Sequence, residues 1–167
     1  LVGGALGLIK NQPVGLTFSS NVGVSVVANE LQLGEANATG ASTSAGTGWF
    51  FGDAFINKDL AGEMYFETLN FYNPTPDDIT VTIELLFSTS DIESFTVNVD
   101  AGGFAEVLLH DHPSILNRDT QLNFFSISAS ADVPFVTSLV HYDLFLDGGW
   151  GNSGSSIGLL NPISTII

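Results

Sequence analysis

Short segments in which apolar and polar residues alternate dominate this chain. They lie at residues 66–72, 80–85, 95–99, 124–129 and 135–146. Because successive side chains of a strand point to opposite faces, each segment predicts a β-strand with one buried face. Clusters of Pro, Gly, Asn and Asp at residues 73–78, 100–103 and 131–134 predict the turns between these strands.

No long segment of the sequence spaces its apolar residues with the 3.6-residue period of a helix. Only residues 113–117 predict a helical turn, because Pro113 is suited to the first position of a helix. Strands at short, regular spacing with such turns are typical of sandwiches and barrels. We therefore predict an all-β fold, an antiparallel β-sandwich of jelly-roll or immunoglobulin-like type, with an extra N-terminal strand or hairpin.

The composition changes near residue 48. Residues 34–48 are rich in Gly, Ala, Ser and Thr, which predicts a flexible connection. Residues 1–48 are accordingly interpreted as a strand or hairpin segment with this linker, and residues 49–167 as the sandwich domain. The first residue is Leu1 rather than Met, which favours a processed or truncated product.

The charge is strongly one-sided. Asp and Glu number 18 against three Lys and Arg, which gives a net charge of −15 at pH 7. Nucleic-acid binding depends on Lys and Arg, so we predict no nucleic-acid partner. The longest apolar stretches are too short to span a bilayer, so no membrane insertion is expected. The chain has no cysteine and therefore no disulfide.

The head of the chain resembles its tail. Residues 21–33 and 132–146 share an apolar alternation that runs into an acidic position, and each is followed by a segment of small residues. Such internal similarity is typical of tandem or self-stacking architectures. The alternating apolar residues at the head are the predicted assembly contacts: Val14, Leu16, Phe18, Val22, Val24, Val26, Leu31 and Leu33.

Several short motifs resemble those of a family of small bacterial and archaeal β-sandwich domains. They are the opening Trp-Phe-Phe-Gly-Asp at 49–53, the strand ending in Asn-Pro at 66–74, the strand at 79–87, the turn at 99–103, Asp111 with Pro113, the strand start at 131–136 and the closing Gly-Ser-Ser-Ile-Gly at 154–158. The relatives are an extracellular repeat that opens with a Trp-Tyr-Phe-Ala-Glu-Gly-like motif and the soluble transducer of a cyanobacterial sensory rhodopsin. The resemblance implies a sandwich for surface display, assembly or ligand sensing, with no catalytic residues.

The stretch His110-Asp111-His112-Pro113 has the residues of a metal site. On a strand, His110 and His112 would point the same way and could share a metal. The competing interpretation, implied by the resemblance, is a turn that Asp111 caps. We predict the turn, and therefore no metal and no cofactor, with Ca²⁺ binding by loop carboxylates as the lesser alternative.

Two further residues are candidates for contacts or modification. Trp150 lies in a Gly-rich loop, where an exposed indole would contact a neighbouring molecule or a sugar, whereas Trp49 is predicted to anchor the core. Asn37 begins the sequon Asn-Ala-Thr, which predicts glycosylation in an exposed linker.

These patterns favour a non-enzymatic structural subunit. We expect an extracellular or cell-surface protein that assembles with itself into a filament or layer, by donating a terminal apolar strand to its neighbour. The alternatives are a carbohydrate-binding or small-ligand-sensing module and a fragment of a tandem-repeat adhesin. No nucleophile motif or phosphate-binding loop supports an enzyme.

Overall fold

The computed structural model describes residues 16–32, 35–40, 44–63, 65–143, 152–157 and 159–160. The strands in these ranges are β1 (Val27–Gln32), β2 (Glu35–Gly40), β3 (Gly46–Asn57), β4 (Tyr65–Tyr72), β5 (Ile79–Phe87), β6 (Ile92–Val99), β7 (Phe104–Leu108), β8 (Leu122–Asp143), β9 (Asn152–Ile157) and β10 (Leu159–Leu160). Helical structure in the described part is limited to α1 (Pro113–Leu116) and two single 3₁₀ turns, Lys58–Leu60 and Leu109–Asp111. The predicted all-β fold and the predicted helical turn are both confirmed.

A single long strand holds the two sheets together. In the first part of β8, residues 125–130 lie between β3 and β5, and in its last part residues 138–143 lie between β4 and β9. In the first sheet β6 follows β5 and β10 follows β3, while in the second sheet β7 follows β4. All these pairings are antiparallel. The result is a curled, sandwich-like fold.

The turn predicted at residues 131–134 is wrong, because β8 continues through it. The pairing of β8 with β3 jumps from Ser130, opposite Gly48, to Phe135, opposite Gly46. Such an irregularity bends a strand, and Pro134 is tolerated there because a bulge needs no N–H from it. The proline therefore marks the point where β8 leaves one sheet and enters the other.

The core is built from the inward positions of the alternating strands. Its largest fully buried side chains include Trp49, Ile56, Leu69, Phe71, Ile83, Leu85, Ile127 and Phe135. The indole N–H of Trp49 donates to the carbonyl oxygen of Phe135 at 3.0 Å, and the two rings meet edge to face. A buried indole commonly finds such a partner. Trp49 thus anchors the core as the sequence predicts.

A buried asparagine locks two predicted turns together. Asn73, which follows β4, is fully buried, and its side-chain amide donates to the carbonyl oxygens of Asp77 and Asp100 at 2.8 and 3.0 Å. Its Oδ1 accepts the backbone N–H of Thr75 at 2.9 Å. These bonds satisfy backbone groups that the turns leave without strand partners. The Asn-Pro pair therefore fixes how the β4–β5 connection meets the β6–β7 turn.

The flexible linker predicted at residues 34–48 is wrong for much of its length. Residues 35–40 form β2, which pairs with β1 from Gln32↔Glu35 to Val27↔Gly40, and β3 already begins at Gly46. Small and polar residues join a ladder when a partner strand supplies the hydrogen bonds, because strand propensity is weak. The resulting hairpin lies beside β9.

Candidate functional site

An exposed apolar segment precedes the β1–β2 hairpin. Residues 16–26 lie outside every helix and strand of the described chain. Leu16, Phe18, Val22 and Val24 are 48%, 59%, 67% and 61% exposed, and Val26 is half-buried. Scattered exposed apolar residues are ordinary, but four in one alternating segment form a surface that favours a partner.

The predicted assembly contacts therefore divide into three groups: those within residues 16–26, which include Val26, one in β1, and two outside the described residues. The structure places Leu16, Phe18, Val22 and Val24 together on this exposed segment, hereafter the N-terminal segment, residues 16–26. Leu31 belongs to β1, whereas Val14 and Leu33 lie outside the described residues. The alternation of the segment is that of a half-buried strand, although it pairs with no strand in the described part of the chain.

The sandwich is open on the side where β6 and β7 form the sheet edges. Among the described strands, β6 pairs only with β5, and β7 pairs only with β4. Phe95 and Val97 of β6 and Ala105 and Val107 of β7 are only partly buried, yet they pack against the core. A strand edge with unpaired backbone groups and partly covered apolar side chains is a template for an added strand.

A buried polar cluster lies at one end of the core. Glu67 of β4 is 1% exposed, and its Oε1 accepts the backbone N–H of Phe55 at 3.0 Å and lies 2.8 Å from the Nδ1 of His141. Its backbone is held by His110, whose Nδ1 lies 3.1 Å from the Glu67 nitrogen and 3.0 Å from its carbonyl oxygen. Glu67 therefore links β3, β4, β8 and the second 3₁₀ turn.

The environment of Glu67 favours the protonated carboxyl. Burial raises its pKa above the ordinary value, while the hydrogen bond and charge of His141 and the Phe55 N–H oppose this and Asp53 adds to it. The Oε2 atom is buried and has no hydrogen-bond partner among the described residues. A shifted pKa is common in catalytic acids, whereas the Glu67 side chain is almost completely buried.

His110 and His112, the less favoured candidate metal pair, have separate partners in the structure. His110 lies in the 3₁₀ turn and packs edge to face on Phe66, whereas the ring of His112 stacks on Phe95 and its Nδ1 accepts the N–H of Ser114 at 3.2 Å. The residues therefore form the predicted turn. Its cap is His112, however, and not Asp111, because the imidazole nitrogen reaches the free N–H at the start of α1.

One of the acidic loop residues, Asp91, already has side-chain partners. Asp91 is held by Thr89 and by Arg118, whose guanidinium lies 2.9 Å away and over the ring of Phe87, and these bonds lower the pKa of Asp91. No group of three His, Cys, Asp or Glu in the described ranges could hold a metal ion.

Among the described residues no helix has the length and apolarity needed to cross a membrane.

Trp150 and Asn37 are the two remaining candidates for contacts or modification. Trp150 lies outside the described residues. Asn37 lies in β2, opposite Glu30, rather than in a flexible linker. Its glycosylation stays a prediction.

Sequence reasoning missed the Glu67–His141 pair, although a signal was present. Glu67 stands in phase with the buried Leu69 and Phe71, and His141 in phase with the buried Phe135 and Leu139. A charged residue on the apolar face of an alternating strand points to a buried polar contact. Following the alternation along each strand would have identified Glu67 and His141 as residues of the buried face.

Comparison with known proteins supports the fold alone. No family model matches the sequence, and no curated protein matches it. The chain is similar to the crystal structure of Thermotoga maritima 1070, with 21% identity, a TM-score of 0.58, and coverage of 72% of this chain and 98% of that chain. It also matches the Anabaena sensory rhodopsin transducer, with 20% identity, a TM-score of 0.48, and coverage of 56% and 94%. These are distant fold relationships.

Proposed function

We propose that this protein is a structural subunit that assembles with itself head to tail, by adding the N-terminal segment of one copy to a sheet edge of the next. The observation that carries the proposal is the row of exposed apolar residues Leu16, Phe18, Val22 and Val24, alternating on a segment that pairs with no described strand. Strand addition would bury these side chains and satisfy their backbone groups at once.

Charge supports this segment as the point of contact. The chain carries a net charge of −15, so copies repel one another over most of their surfaces. Residues 11–29 contain no charged side chain. A neutral apolar segment is therefore the part of the molecule that can approach a second copy at the smallest electrostatic cost.

The topology supports propagation over a closed pair. The β1–β2 hairpin that carries the segment lies beside β9, which flanks β8 on one side. The open edges β6 and β7 belong to the strands on the other side of β8. A contact between two different surfaces of identical copies is heterologous, and such contacts extend into filaments unless the rotation closes a ring.

The proposed location is the cell surface or the extracellular space. The sequence motifs shared with the extracellular Trp-Tyr-Phe-Ala-Glu-Gly-type repeat favour it, as does a filament-forming role. A non-enzymatic role is part of the proposal, since the acidic group with the most altered environment, Glu67, is sealed in the core. No observation on the described residues favours the sugar-binding alternative, whose main candidate was Trp150.

Assembly is tested by placing charge on the apolar face of the segment. The variant Val22→Asp/Val24→Asp should abolish filaments in negative-stain images and leave a slowly sedimenting species, because burying two carboxylates in an added strand is unfavourable. The matched control is Ser19→Asp/Ser25→Asp, which adds the same charge at exposed polar positions of the same segment. The control should still assemble.

Circular dichroism distinguishes lost assembly from lost folding, since both variants lie outside the strands and should keep the wild-type spectrum. Wild-type protein that stays monodisperse at every concentration, or filaments that survive both double substitutions equally, would refute the proposal.

A further inference from the structure

The four sheet edges differ in how much of their backbone is already engaged. Beyond β3, β10 pairs with Trp49 and Phe50, and the N–H of Phe55 donates to Glu67. The hairpin strand β2 lies beside β9. The two edges without such neighbours in the described chain are β6 and β7.

The longer of these two edges is β6. It has eight residues against five in β7, and its whole length is paired with β5, from Ile79↔Val99 to Leu86↔Ile92. In an antiparallel pair, every second residue turns its N–H and C=O away from the partner strand. Along β6 this leaves an outward row of donors and acceptors long enough for an added strand of typical length.

The side chains of β6 suit an apolar, alternating partner. Phe95 and Val97 face the core but are only half-buried, and the ring of Phe95 stacks on His112. Glu93 has the same strand phase and is exposed near the start of β6. The alternate positions form an exposed, uncharged outer row: Ile92, which is 62% exposed, Ser94, Thr96 and Asn98. An added strand with apolar residues at every second position would extend the inward row of Phe95 and Val97, and its intervening residues would continue the outer row.

Given the proposed head-to-tail assembly, on which this step depends, we infer that β6 is the acceptor edge and that residues 16–26 of a second copy add to it as the next strand of the first sheet. The even-numbered apolar residues of the segment then face the core beside Phe95 and Val97. Ser25, between Val24 and Val26, then lies on the outer face, in the same row as Ser94, Thr96 and Asn98.

Disulfide trapping tests this arrangement cleanly, because the natural chain has no cysteine. Three full-length double variants carry Ser25→Cys with Ser94→Cys, Thr96→Cys or Asn98→Cys, so that neighbouring registers are all sampled. Directly opposed residues of adjacent strands have Cβ atoms roughly 5 Å apart, within reach of a disulfide. Oxidised filaments of at least one variant should give a ladder of covalent oligomers on a non-reducing denaturing gel.

Two controls use the same donor cysteine. Glu84→Cys places a thiol on the exposed face of β5, one strand further in and too far for a disulfide, and Glu106→Cys places one on the exposed face of β7. Ladder yield in the best β6 variant should exceed that of both by about tenfold, since contact fixes the effective thiol concentration.

The outcomes distinguish the choice of β6 as acceptor edge from the proposed head-to-tail assembly itself. A ladder from Glu106→Cys with none from the three β6 positions would overturn β6 as the acceptor and assign β7, while assembly itself stands. Filaments that form normally with no ladder in any variant would also overturn β6. Failure of the wild-type chain to assemble would instead refute the proposed function. A ladder at β6 supports both.

Discussion

At the scale of single residues, the most unusual group is the Glu67 carboxyl. It bridges the backbone of Phe55 and the ring of His141, yet its second oxygen is buried without a hydrogen-bond partner in the part of the chain that the structure describes. An unpaired buried oxygen is costly when charged and less so when protonated. Glu67 therefore makes the stability of the fold depend on pH through one identifiable group.

The direction of this dependence follows from the raised pKa of Glu67. Its ordinary value is 4.5, so between that pH and the higher folded pKa the folded state holds a proton that the unfolded state has released. Protonated Glu67 thus contributes stability that is fully present below the unfolded pKa and lost as pH rises through the folded pKa. The loss has a limiting slope of about 1.4 kcal/mol per pH unit.

We expect Glu67→Gln to remove this dependence, because the amide is neutral at every pH and its oxygen can keep both hydrogen bonds. Urea unfolding from pH 4 to 8 should show that the free energy of unfolding of the wild type, minus that of the variant, falls as pH rises above the ordinary pKa of 4.5. Glu84→Gln, which removes an exposed carboxylate from β5, is the matched control. A difference curve for Glu67→Gln that rises with pH, or is no steeper than the control, would contradict the assignment.

At the scale of elements, the turn between β6 and β7 carries the chain from one sheet to the other. Gly102 has a φ of +62°, and the N–H of Gly103 donates to the carbonyl oxygen of Asp100 at 2.8 Å. Asn73 holds the same turn by bonding to Val99 and Asp100. The turn therefore fixes the spacing of the open edges β6 and β7.

Gly103→Ala should destabilise the protein by about 1–3 kcal/mol, because close contact with backbone forces local shifts. An added Cβ would lie 2.8 Å from the carbonyl oxygen of Asp100, closer than side chains tolerate. Gly52→Ala is the control, since its Cβ would meet only Phe50 Cε1 at 3.8 Å. Thermal and urea unfolding of both variants measure the effect, and equal stability of the two would show that the turn relaxes freely.

The alternation predicted the interior strands better than their connections. The segment 80–85 lies inside β5 because each inward residue, such as Val81 or Ile83, is buried among others of its kind. Local composition misled at Pro134 and at residues 35–40, where a bulge and a distant partner strand override it. The Glu67–His141 contact joins residues far apart in sequence, so only strand register brings it into view.

At the scale of the whole molecule, charge and apolar segments act against each other. A net charge of −15 on 167 residues opposes the approach of two copies, while the uncharged N-terminal segment favours it. Added salt weakens the repulsion between the negatively charged copies and leaves the attraction between apolar segments largely unchanged. The Debye length falls from about 10 Å at 0.1 M salt to about 3 Å at 1 M.

Assembly should therefore become faster and require less protein as salt is added. Light scattering and sedimentation of the wild type across roughly 0.05–1 M sodium chloride measure this, and the Val22→Asp/Val24→Asp variant is the control that should stay unassembled throughout. Potassium and choline chloride should act like the sodium salt at equal ionic strength, because screening does not depend on the identity of the cation. Assembly that weakens with salt would indicate that ion pairs hold the copies together. Assembly triggered only by low concentrations of Ca²⁺ would indicate bridging by loop carboxylates, and either result would replace screening as the explanation.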